Sequence, residues 1–166
     1  MAQVDRIDGV GALTAVTGAL VPYEAGRGCL LTASTTYYFP FSMKDGGVSS
    51  AQLQWDASIV LTNVWFEDSN LPAYIGQGND VVDVSDFSAA KGAWIQETPS
   101  TAYVSVTSSD GTTGGATATN GAIATTGGTA GGAIWNLSGV GSRRGRMHVQ
   151  VGATGGVLRV HTHGKS

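Results

Sequence analysis

At 166 residues the chain has room for one domain with a core of its own, and its 13% of charged residues is low beside an ordinary 42% of apolar ones. Its 25 glycines, with abundant Thr, Ser and Val, argue for strands and turns and against a helical protein. A single cysteine, Cys29, excludes an intramolecular disulfide, and no apolar run approaches the roughly 20 residues that a membrane-spanning helix needs.

The first 27 residues follow neither the helical nor the strand period. Gly9, Gly11, Gly18 and Gly26 interrupt any helix, and Pro22 excludes a central strand. This segment is expected to be an extended arm that crosses a surface, its own or a neighbouring subunit's, with a frayed terminus as the competing reading. Its opening, MAQVDRIDGV, lacks the basic-then-apolar layout of a secretory signal, so a non-secreted chain is expected.

From Gly28 the sequence turns strand-like. CLLTASTTYYFPFSM is rich in β-branched and aromatic residues and is expected to break at Pro40. In AQLQWDASIVLT, Ala51, Leu53, Trp55, Ala57, Ile59 and Leu61 alternate with more polar neighbours, which predicts one long half-buried antiparallel strand. The polar stretch that follows is loop-rich, with one helical turn expected over Asp86 to Lys91. STAYVSVTSSDG then reads as a strand ending in a turn.

Residues 111–132, almost all Gly, Thr and Ala, pose a choice between linker and β structure. Asn120-Gly121 at the centre of ATATNGAIAT is a strong hairpin signal, and AGGAIWNLSGV places Ala133, Trp135 and Leu137 on one face. Ordered β structure is therefore expected. RMHVQV and VLRVHTH, joined by GATGG, read as a final hairpin with Met147, Val149, Val151, Leu158 and Val160 inward. Pairing Val151 with Leu158 would set His148 opposite His161 and Arg146 opposite His163.

That register makes His148, His161 and His163 the candidate ligands for a divalent metal, the only cofactor the sequence suggests. Bland surface histidines are the competing reading. The loop acids Asp80, Asp83 and Asp86 lack the spacing of a calcium loop. No nucleophile elbow, activated-thiol context, paired carboxylates or nucleotide-binding glycine pattern is present, so an enzyme is not expected. Tyr37, Tyr38, Trp65 and Phe66 are candidate platforms for a sugar, against the alternative that they fill the core.

Charge is divided along the chain. Residues 1–110 hold all 12 acids and four bases, a net of −8; residues 111–166 hold five bases and no acid, a net of +5. Charges that offset one another within a monomer are one reading of this division; head-to-tail contacts between copies are the other, with Arg143, Arg144 and Arg146 as the basic side and the Asn120-Gly121 hairpin as a second contact. Five bases without interleaved aromatics make a thin footprint for nucleic acid, which is not an expected partner.

Three stretches together resemble the small β-sandwich structural proteins of tailed-bacteriophage virions: the Gly/Ala/Val-rich arm of 1–27, GTTGGATATNGAIATTGGTAGG, and GSRRGRMHVQVGATGGVLRVHTHGKS. The resemblance implies an all-β, antiparallel, jelly-roll-like sandwich over residues 28–166 behind the arm of 1–27. It also implies a homo-oligomer bound to other virion proteins, assembled in the host cytoplasm, with no membrane partner. Capsid decoration, head–tail accessory and tail-fibre anchor are the roles it covers. A carbohydrate-binding or host-adhesion module that takes a surface glycan is the alternative.

Overall fold

Apolar residues at every second position suit a pleated surface and defeat a helix, and the chain folds accordingly. A computed structural model describes residues 3–7, 11–23, 28–42, 48–69, 95–96, 104–108, 116–119, 122–137 and 144–165. In chain order the strands are β1 (Gln3–Ile7), β2 (Ala12–Thr14), β3 (Leu20–Val21), β4 (Cys29–Leu31) and β5 (Thr36–Ser42). Next come β6 (Val48–Trp55), β7 (Leu61–Ser69), β8 (Ile95–Gln96), β9 (Val104–Ser108) and β10 (Ala116–Thr119). The set closes with β11 (Ala122–Thr125), β12 (Gly131–Asn136), β13 (Arg144–Val151) and β14 (Gly156–Lys165).

Two antiparallel sheets result. The first runs β1–β14–β6–β12–β9, with β4 on the same edge of β14 as β1. The second runs β10–β11–β7–β13–β5–β2–β3, with β8 also beside β7. Their inward faces share one apolar core, to which Leu53, Trp55, Trp135 and Leu158 come from the first sheet and Tyr37, Phe39, Phe66 and Met147 from the second. The all-β fold expected from composition and the antiparallel pairing expected from the alternation are both observed, and the two sheets form the sandwich that the resemblance implied.

The alternation names the inward residues well, but it misplaces two connections. AQLQWDASIVLT is not one strand. β6 stops at Trp55, the chain crosses the sandwich, and β7 begins in the opposite sheet at Leu61. Asp56 makes the break: its Oδ1 accepts from Ser58 N at 3.1 Å, Ser58 Oγ at 2.7 Å and Ile59 N at 3.1 Å. Its Oδ2 accepts from Val157 N at 2.9 Å, which ties the turn to β14. Ile59 and Leu61 still reach the core, while Ala57 and Ser58 on the crossing are exposed.

The final pair is the second correction. β13 and β14 do not form a hairpin ladder; β13 lies between β5 and β7, and β14 lies in the other sheet. Their apolar faces meet across the core instead of side by side. Pro40 also fails to end its strand, because β5 runs through it to Ser42. Pairing with β2 is confined to Tyr37 and Tyr38, so proline sits where β5 has a described neighbour on one side only. The interruption falls earlier, in a turn where Ser34 takes a φ of 55°.

Within 111–132 the described residues are strands and their connections. Thr119 stands opposite Ala122, so the β10–β11 hairpin closes through two residues, and Ile123 pairs with Val64 of β7. Buried Thr125 accepts from Leu61 N at 2.9 Å and fixes the end of β11 to the start of β7. Gly131 lies opposite Trp55, where a Cβ would stand 2.7 Å from the indole Cζ2. A residue without that atom lets the indole come this close to β12, where its Nε1 donates to Thr129 O at 3.2 Å.

The described parts of 1–27 pair with their own chain. β1 lies along β14, and the β2–β3 hairpin lies on β5 with Ala12 fully buried. The helical turn expected over Asp86 to Lys91, the acids Asp80, Asp83 and Asp86, Asn120, Gly121 and Arg143 lie outside the described residues.

Candidate functional site

Among the described residues, a dense polar cluster lies on the outward side of the second sheet. Register builds it. Tyr38, His148 and Trp65 stand side by side across β5, β13 and β7, and Pro40, Arg146 and Glu67 form the next row. Residues two apart on a strand point the same way, so both rows share the face opposite the core.

These outward residues pack on one another. Arg146 Nε donates to Glu67 Oε2 at 2.6 Å, and Trp65 Nε1 donates to Glu67 Oε1 at 2.9 Å. The Arg146 guanidinium carbon stands 3.7 Å from the centre of the Tyr38 ring, a cation–π contact. His148 stacks on Trp65 with centroids 3.9 Å apart and planes within 14°, and it meets Tyr38 at 5.3 Å and 53°. Arg146 is 3% exposed, His148 7% and Glu67 8%, so this is an ion pair removed from water.

Burial sets the protonation states. It holds His148 at about 4; the nearby Glu67 opposes the drop and Arg146 adds to it. Tyr38 is raised, first by burial, with Arg146 lowering it and Glu67 raising it. The Nδ1 of His148 is buried and makes no hydrogen bond, while both oxygens of Glu67 are engaged. Among the described residues His148 Nδ1 bonds no carboxylate, and Glu67 is held by Arg146 and Trp65, so the arrangement is a packed polar layer.

The three histidines are therefore not brought together. His148 is on the outward side of the second sheet, whereas His161 and His163 are on β14 in the first, in register with Gln52 and Ser50. The proposed cross-strand trio depended on β13 pairing with β14, which does not occur. Among the described residues, no three His, Cys, Asp or Glu gather in a way that could hold a metal ion. His161 is held below its usual range by partial burial and then by Arg159.

Arg146 changes role as well. Expected on the basic side of an intersubunit contact, it is instead buried against Glu67 of its own chain. Arg144 opens β13 in register with Ser42 and Ser69. Of the candidate sugar platforms, Tyr37 and Phe66 are core residues, Tyr38 is buried under Arg146, and Trp65 has His148 stacked on its ring. Cys29 is buried, and its Sγ donates to Val21 O at 3.7 Å, where β4 adjoins β3.

Sequence reading missed Trp65 and Glu67 as partners of Arg146 and His148. The signal was the matching spacing: an aromatic and an acid two apart in WFE, a base and a histidine two apart in RMH. No protein-family model matches the chain, and no curated protein or solved structure gives a significant match.

Proposed function

We propose that the chain is a jelly-roll structural protein of a tailed-bacteriophage virion, a capsid decoration or head–tail accessory subunit repeated in a symmetric assembly. The observation that carries this reading is the strand order. With the edge strands set aside, β4–β14–β6–β12 faces β5–β13–β7–β11, and the chain changes sheet at every step from β4 to β7 and from β11 to β14. That interleaving is how a jelly roll winds two Greek keys together, an architecture used by viral capsid and lectin domains.

The surface supports self-association. Val16, Leu20 and Leu30 are three of the four large apolar side chains exposed among the described residues, and they belong to the β2–β3 hairpin and β4. Residues 11–23 and 28–36 contain no charged residue, so the apolar side chains of these strands are not interrupted by charges of their own. With Arg146 neutralised internally, Arg143 and Arg144 are the bases left for the head-to-tail contact.

Light scattering of the purified protein tests the proposal. A discrete oligomer is expected, and Leu20→Asp with Leu30→Asp is expected to shift it toward monomer. A strict monomer at every concentration would remove the assembly reading. The lectin alternative rests on the same strand order, and specific retention of a glycan on an array by such a monomer would favour it.

A further inference from the structure

We propose that the Trp65–His148–Tyr38 stack is an acid-release latch, in which protonation of His148 loosens the outward side of the second sheet while the core between the sheets stays closed. The cluster is built for a neutral ring. His148 lies flat on Trp65 at 3.9 Å in a site removed from water, and its Nδ1 makes no hydrogen bond.

The charged and titratable groups facing it, among the described residues, are Arg146 on its own strand, Glu67 on β7 and Tyr38 on β5. A proton on His148 would place a second cation beside Arg146 in a site with a single carboxylate. That carboxylate already accepts hydrogen bonds from Arg146 and Trp65, so among the described residues its one negative charge would be shared between two cations. Attraction of an imidazolium to the Trp65 face works in the same favourable direction. Loss of hydration opposes both and is the largest influence on this histidine.

The sign follows from linkage. The unfolded or locally opened chain takes up the proton at the ordinary value of 6.5, whereas the closed cluster resists until about 4. The latch is therefore at full strength above 6.5, weakens as the pH falls between those values, and loses nothing more below the lower one. Asp56, whose hydrogen bonds from Ser58, Val157 and Ile59 outweigh burial and hold it below its ordinary 3.8, acts below that window.

Two measurements on the intact protein test the latch. An NMR titration of the His148 ring is expected to show a midpoint well below 6.5; a midpoint at or above 6.5 would overturn the proposal. Hydrogen exchange, corrected for the intrinsic pH effect, is expected to quicken by about tenfold per unit at β5, β13 and β7 relative to β6 and β14 as the pH falls through the window. Equal quickening in both sheets would overturn the local release. His148→Phe, which keeps a ring on Trp65 but cannot titrate, is expected to lose most of this pH dependence. If that variant keeps the full dependence, another group is responsible; if it fails to fold, the wild-type titration and exchange decide.

Discussion

The two outward faces of the sandwich obey the same alternation and end in opposite states. On the second sheet Tyr38, Trp65, Glu67, Arg146 and His148 close over one another, and four of the five are buried. On the first sheet Gln52, Gln54, Ile134, Asn136, Arg159, His161 and His163 occupy the outward positions and all keep solvent contact. Both faces are polar in sequence. Only the row that pairs an acid with a base two positions from stacking rings makes a layer, so outward-pointing is not equivalent to exposed.

The largest expected break in that comparison is Glu67→Ala. Stripping a buried guanidinium of its carboxylate is expected to cost about 3–5 kcal/mol in urea unfolding. A loss near zero would mean that the cluster is ornamental. Gly131→Ala comes next. Its methyl group meets the Trp55 ring at 2.7 Å, and overpacking there is expected to cost about 1–3 kcal/mol with a change in tryptophan fluorescence.

Asp56→Ala removes the acceptor that turns β6 into β7 and reaches β14, with an expected loss of about 1–2 kcal/mol for partly exposed, charge-assisted bonds. The open face supplies the controls. Gln52→Ala and Gln54→Ala are expected to stay within about 0.5 kcal/mol of wild type. His161→Gln sharpens the contrast in pH dependence. Its value is lowered like that of His148, so it also destabilises as the pH falls, yet its partial exposure means that removing it should flatten the stability curve less than His148→Phe does.

What could be read in advance follows from which properties are local. Inward residues such as Leu53, Trp135, Met147 and Leu158 were legible because side-chain direction repeats every two residues. The β10–β11 hairpin was legible because its two-residue turn has a chemistry of its own. The crossings at 56–60 and 152–155 were not. A short glycine- or serine-containing connection serves a hairpin as well as a passage across the roughly 10 Å between sheets, and distant pairing decides which forms. The expected pairing of His148 with His161 failed with that register. Arg146 and His148 were placed on the correct face, but their partners Glu67 and Trp65 lie about 80 positions away along the chain.

β13 and β14 come last in the chain order of strands, yet each is an inner strand of its sheet. During synthesis, everything through β12 can emerge while β5 and β7 still lack the strand that joins them and β6 has nothing to link it to β1 and β4. The nascent chain thus exposes unpaired edges in both halves until β13 and β14 arrive, an interval in which chaperones or sister chains compete for those edges. Closure is then a late event that sets both layers at once, and chains stalled before residue 144 should be the aggregation-prone species.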